Sequence, residues 1–260
     1  AGAKLDLIDV GAGRPRLLLK YDTVAPNSPT STFAQVTLNG AEIQNAAMAG
    51  VTHRVAGSIV TQGPLTSYLA TNNGPLQVDA VISGNAPLSM TGNSRLTLSA
   101  VNTYTGNTTV NAGGLTLGTT GSLAFSAGAN GVNNAITGTG AVALDGAFAI
   151  DTTSASTTAG ATWDLITTSG SVTIGSTFTV TGYTADSAAV GARKWTSGAY
   201  EFDEATGVLT VLSVTADTIA PVITRNGNAT VSISVGDSYT DAGATATDNV
   251  DSSVTVNTTG

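Results

Sequence analysis

The feature that most constrains this chain is a recurrence. Short apolar strand patterns begin at Leu76 (LQVDAVI), Leu96 (LTLSAV), Leu115 (LTLG) and near Ile136 (AITG), at intervals of 20, 19 and 21 residues. A unit this short cannot bury its own apolar face, so it must stack on its neighbours. Between the strands lie GNAP, TGNS, YTGN, NAGG, GTTGS and GTG, runs of residues that bend a chain cheaply. The spacing predicts coils of a parallel β-helix, with Leu, Val, Ile and Ala inward and Thr, Asn and Ser outward.

Composition agrees. Charged residues make up only 10% of the chain and aromatics 5%, while 41% is hydrophobic. Small, β-branched and turn-forming residues suit many short strands, and the predicted class is all-β. With no Cys, disulfides and thiol chemistry are excluded. A net charge of −8 argues against nucleic acid and anionic membrane surfaces as partners, since both require clustered Lys and Arg. No apolar run approaches the roughly 18 residues of a membrane span. The start at Ala1, without an initiator Met or an apolar leader, is expected of a processed product or an excised piece.

Three regions follow from the patterning. Residues 1–75 form an N-terminal β region of undefined fold, with Lys4, Arg14, Arg16, Lys20 and Arg54. KLDLIDV reads as an exposed strand and RLLLKYD as a buried one, followed by a proline loop, VAPNSPTSTF, that interrupts any strand or helix. AEIQNAAMAG, residues 41–50, is the one short helix expected. Residues 76–212 form the solenoid with a C-terminal cap, because six of the thirteen aromatics fall between positions 160 and 205. There YEFDEATGVLTVL reads as a hairpin turning through Ala205, Thr206 and Gly207. A cap is expected because a bare solenoid end would recruit other chains. Residues 217–260 change composition again, with VIT, TVSISV and VTV as strands separated by Pro221, Gly227, Gly236 and Gly243, in the manner of a β-sandwich.

The run LTLSAVNTYTGNTTVNAGGLTLG, residues 96–118, resembles the passenger-associated repeat of autotransporter-type surface proteins. The likeness rests on the LTLS strand, on Asn102, Tyr104 and Gly106 of NTYTG, on Val110 and Gly113 of TTVNAG, and on the second LTLG; Ala100 stands where that family commonly has Gly. The stretch from Trp163 to Val211 is similar to the closing segment that often follows such repeats. The C-terminal region resembles a bacterial immunoglobulin-like surface module in its D-T-x-x-P start at Asp217, its VGD at Val235 and YTDAGATATDNVD from Tyr239. Those modules carry further strands, so the stop at Gly260 implies either a cut from a longer protein, the preferred reading, or completion by a neighbouring molecule.

The chemistry-bearing residues are few. His53, the single histidine, has no G-x-S-x-G elbow to serve and is expected on a surface or loop. Between positions 96 and 192 the acids are Asp145, Asp151, Asp164 and Asp186, without a base to accompany them, which disfavours glycosidase-type catalysis. Glu201, Asp203 and Glu204 read as the solvated face and tip of the hairpin. Asp217, Asp237, Asp241, Asp248 and Asp251 place five carboxylates within 35 residues, candidate ligands for calcium, a cation that takes about six to eight oxygens. Asp is also a turn residue, which accounts for the same positions without a metal.

The function expected is that of a non-enzymatic structural or adhesive protein on the outside of a bacterial cell, a scaffold or a subunit of a filament or surface layer. Its expected partners are other surface-protein subunits, including copies joined by strand addition, or cell-surface glycans. The alternatives are a carbohydrate-binding module using Trp163 and Trp195, or a polysaccharide-active β-helix enzyme.

Overall fold

The computed structural model describes residues 4–8, 14–19, 29–46, 50–212, 220–248 and 254–257. Every regular element among them is a strand. The chain divides into two compact units, Ala1–Ser213 and Val214–Gly260.

The first unit is a parallel β-solenoid. One nine-stranded sheet stacks Lys4–Ile8, Thr30–Asn39, His53–Thr61, Leu76–Val78, Arg95–Leu98, Gly114–Leu117, Ala141–Leu144 and Val172–Ile174, with Val81–Gly84 also joined to His53–Thr61. A second sheet runs through Arg16–Leu19, Glu42–Asn45, Ser67–Ala70, Leu88–Thr91, Thr108–Val110 and Ile136–Gly138. A third, shorter sheet stacks Ser122–Ser126, Ala147–Asp151 and Thr179–Val180. All pairings within these sheets are parallel.

Registry shows why the recurrence folds this way. Leu96 pairs with Leu76 and Leu115, and Leu115 with Val142, giving one inward column. Val78, Leu98, Leu117 and Leu144 form a second. All eight side chains are buried. The intervening Gln77, Thr97, Thr116 and Ala143 face outward and are half-buried. Period-two alternation therefore feeds a continuous apolar interior, and a slip of one residue would turn every column outward.

The corner between sheets explains the motif residues. Asn102 is buried; its amide donates to the carbonyls of Ala100 (2.8 Å) and Ser122 (3.1 Å) and accepts from the Ile82 N–H (3.0 Å). It thus satisfies backbone groups of three coils where the chain bends out of sheet pairing. Tyr104 is buried two residues on, its hydroxyl 2.6 Å from Thr108 Oγ1. Burial pushes its phenol up to about 12, partly offset by that bond. At Gly106 a Cβ would sit 2.3 Å from the Ala86 carbonyl oxygen, so no other residue lets the two coils approach.

Several expectations are corrected. Residues 42–45 are a strand and not part of a helix; Ile43 enters the core, with Leu17 and Leu69 in register on either side. Residues 47–49 of that segment lie outside the described residues. The strand Thr30–Asn39 begins directly after Pro29, a position where a proline costs the ladder no donor. Of the run expected to be buried near Leu17, only Leu19 is buried and Leu18 is exposed. Ile136 is not the fourth member of the Leu column. It pairs with Thr108 in the second sheet, and the true partner of Leu115 is Val142, 27 residues on.

The later coils lead into an antiparallel sheet of Thr162–Asp164, Val208–Val211, Tyr200–Asp203, Lys194–Ser197 and Thr184–Ala185. The hairpin expected at Tyr200–Val211 is present, with Gly207 at φ +72° closing its turn. Across the sheet, Trp163, Leu209, Phe202 and Trp195 lie in register and are all buried. The rings of Phe202 and Trp195 continue an aromatic stack inside the last coils, with centroids 4.6 Å apart for Phe125 and Phe148, 5.0 Å for Phe148 and Phe178, 5.6 Å for Phe148 and Phe202, and 6.1 Å for Phe178 and Trp195. Tilted and edge-on contacts of this kind favour aromatic pairs beyond their buried area.

In the second unit, the described residues form one antiparallel pair, Val222–Arg225 with Ala244–Thr247, and not a two-layered sandwich. The segments expected as strands at 230–235 and 254–256 carry no strand. Val222, Ile223, Val231, Ile233, Val235 and Tyr239 are exposed, because a single pair of strands has no second layer to cover them.

Candidate functional site

A concavity lies under a loop that the recurrence does not contain. Leu88 to Thr108 is a step of 20 residues, whereas Thr108 to Ile136 is 28. The additional length is the excursion at 127–134. Ala127 and Asn133 meet in an antiparallel bridge, and the Gly128 N–H donates to Val132 O at 2.8 Å.

Asparagines hold this loop. The Asn134 side chain acts as a substitute peptide along the free edge of Ser122–Ser126, accepting from Ser126 N–H (2.7 Å) and donating to Ala124 O (2.8 Å). Asn130 accepts from the Thr162 N–H and Asn133 donates to Asp164 O, both at 2.8 Å. Trp163 Nε1 donates to Ala129 O at 2.9 Å. The loop is thereby pinned to the first strand of the cap.

Beneath it runs a groove of about 580 Å³ walled by Thr105, Gly106, Asn107, Ser126, Val132 and Ser154. A second hollow of about 330 Å³ shares Thr105 and Ser126 and adds Phe125, Ile150, Asp151 and Thr181. Asp151 is the carboxylate of this surface. Hydrogen bonds from the Thr153 side chain and backbone hold it below the usual carboxylate range, so it stays ionised. The groove exposes hydroxyls, amides and small apolar patches. It has no proton donor and acceptor facing each other among its walls, as acid–base catalysis on a glycosidic bond requires.

The other candidate residues are placed as follows. Asp145 is half-buried and Asp164 exposed. Asp186 accepts from the Ala188 N–H in its own turn and from the Lys194 N–H across the hairpin loop. Glu201 and Asp203 face Lys194 Nζ at 2.6 and 3.7 Å, on the outer face as expected. Glu204 is different: it is buried, which corrects the reading of it as a solvated hairpin tip. Its carboxylate accepts from Arg193 Nε (2.9 Å), Trp195 Nε1 (2.8 Å) and Gly191 N–H (2.8 Å), with Arg193 Nη2 at 2.8 Å. Trp163 and Trp195, the rings considered for stacking on sugars, are 0% and 6% exposed and present no face to solvent.

His53 is not on a surface or loop. It begins a central strand, is 2% exposed, and shares a 2.9 Å hydrogen bond between Nε2 and Ser31 Oγ. That pair resembles a nucleophile and base, but no carboxylate orients the ring, because Nδ1 is buried without a partner.

Of the five candidate calcium ligands, Asp217 and Asp251 lie outside the described residues. Asp237 accepts from Ser234 N–H and Asp241 from Gly243 N–H, each within its own turn, while Asp248 follows the strand Ala244–Thr247. Among the described residues no group of three or more His, Asp or Glu is arranged to hold a metal. No helix of the described residues is long and apolar enough to cross a membrane.

Comparison with protein-family models, curated proteins and solved structures returned no match.

Sequence reasoning missed the loop at 127–134, Asn134 and Glu204. The loop had a signal: once Leu115 is aligned to Val142 in place of Ile136, the apolar alternation of AVAL continues the column and eight residues are left over. Glu204 had none, because a hairpin-tip acid and a buried one look alike until Trp195 and Arg193 are seen to converge on it.

Proposed function

We propose that this chain is a rigid, non-enzymatic element of a bacterial cell-surface protein, a spacer whose groove and outer faces contact neutral glycans or neighbouring subunits. The observation that carries this reading is the pair of Leu/Val columns, Leu76 to Val142 and Val78 to Leu144, under outer rows of Gln, Thr and Ala. Such a stack gives length and stiffness while its surface stays solvated with little charge. Support also comes from the sequence likeness of residues 96–118 to autotransporter-type repeats. The second unit's likeness to an immunoglobulin-like module adds a joint whose uncovered apolar residues suit completion by another chain.

Protease digestion of intact source cells tests this directly. The reading expects the chain to be cleaved or shed from intact cells, and a deletion strain to lose attachment or surface integrity without losing a metabolic activity. Retention of the chain in the cytosolic fraction would overturn it. Calcium binding by the aspartates of the second unit is a separate proposal, read from whether calcium raises the melting temperature of the isolated chain and EDTA reverses the change.

A further inference from the structure

The interior column that contains Leu76, Leu96, Leu115 and Val142 has one polar member. His53 is in register with Leu76, so an imidazole occupies a place that the following coils give to Leu or Val. It is 2% exposed. One ring nitrogen bonds to Ser31, two residues past Pro29 in the preceding coil, and the other has no partner among the described residues.

No acid faces the ring. The strands paired with His53–Thr61 are Thr30–Asn39, Leu76–Val78 and Val81–Gly84, and none of the three contains a charged residue. On its own strand the one charged neighbour is Arg54, which points outward to Asp79 at 2.7 Å. Glu42, on the neighbouring sheet, is held by Arg14 (2.8 Å) and Arg16 (3.3 Å). The ring is thus accommodated neutral, and a positive charge there would have the Ser31 hydroxyl as its one hydrogen-bond partner among the described residues.

We propose that His53 is an acid-sensitive latch: protonation of its buried ring loosens its own strand and the one before it, Thr30–Asn39 and His53–Thr61, while the Leu-lined strands from Arg95–Leu98 onward stay closed. A buried neutral imidazole must charge when the pH falls, and the open form takes the proton more readily than the closed one. Desolvation lowers the ring below its ordinary value of 6.5. For a group lowered on folding, the stabilisation is complete above the ordinary value and is lost as pH falls toward the folded one. Each unit of lowering corresponds to about a tenfold rise in the open population once the pH is below both values.

The test is hydrogen exchange on the full chain at about pH 7.5 and about pH 5, corrected for intrinsic exchange, with the imidazole titration followed by NMR. The expected result is a reversible loss of protection over residues 30–46 and 50–61 at the lower pH, absent at the higher one. The strands Arg95–Leu98 and Gly114–Leu117 should show no corresponding drop, and the ring should titrate below 6.5 in step with the opening. His53→Leu, which completes the column, should remove the drop. A ring that titrates at or above its ordinary value overturns the proposal, and so does a loss of protection shared equally by the reference strands or persisting in folded H53L. The NMR titration of the unmodified chain decides the matter even where H53L does not fold.

Discussion

Two buried polar groups in the same solenoid are treated in opposite ways. Glu204, in the cap, has its carboxylate fully answered by Arg193, the Trp195 indole and the backbone at Gly191. His53, in an early coil, uses one nitrogen on Ser31 and leaves the other without a partner. Burial alone therefore does not say what a polar group does to a fold. A completely satisfied group locks the element that carries it, whereas a half-satisfied one makes its element depend on conditions. The cap is built to stay shut, and the early coils hold together only while the imidazole is neutral.

The largest effect should come from breaking the satisfied site. Glu204→Ala leaves the Arg193 guanidinium, 13% exposed at its side chain, with the Phe178 carbonyl at 3.3 Å and the Trp195 ring as its neighbours. An uncompensated buried charge of this kind costs about 3–5 kcal/mol. The expected outcome is a drop of that size in denaturant unfolding, with the tryptophan emission shifting red as the cap opens. Phe148→Ala, which removes the ring joining Phe125, Phe178 and Phe202, should cost a similar amount, about 3–5 kcal/mol, by leaving a cavity. If E204A were neutral while F148A were not, the cap would be held by aromatic packing and its ion pair would add nothing.

The corner asparagines come next. Asn102→Ala strands the Ile82 N–H inside the solenoid and should cost about 2–3 kcal/mol. Asn134→Ala exposes its two partners to a groove that water can enter, so a smaller loss, about 1–2 kcal/mol, is expected. Thermal melts of the two variants under one condition check the order. The reverse order would mean that the loop at 127–134 and not the corner fixes the coil.

How much of this was legible in the sequence follows from the same contrast. The columns were readable because apolar alternation in LQV, LTL and LTL repeats at nearly constant spacing, and backbone pairing keeps that spacing. Asn102, Tyr104 and Gly106 were readable as a motif, although their reasons, a shared amide, a buried phenol and a backbone contact, appear only in three dimensions. The register at Ile136 was not, since AITG has the look of a fourth strand and lies in another sheet. The helix at 41–50 failed because AEIQN has helix-compatible composition, while the decisive fact, Leu17 and Leu69 on either side of Ile43, is non-local. Nor could the sequence show His53 inside the column, because THRV alternates equally well with either face inward.

The smallest expected effect sharpens the distinction between inner and outer hydroxyls. Thr108 and Thr109 are neighbours on one strand, yet Thr108 is buried with its hydroxyl 2.6 Å from the Tyr104 phenol, while Thr109 faces outward and bonds to Thr137 Oγ1 at 3.1 Å. Valine replaces either hydroxyl by a methyl of nearly the same shape. At position 109 the lost bond is replaced by water on Thr137, and stability should change by no more than about 0.5 kcal/mol. At position 108 the phenol of Tyr104, 2% exposed, is left inside without a partner, at about 1–3 kcal/mol. Losing that bond should also raise the phenol further, because burial alone then acts on it. Denaturant unfolding of T108V and T109V side by side checks the pair. Equal losses would show that the outer hydroxyl rows stabilise the stack as much as the interior does, and the surface could then not be read as free for partners.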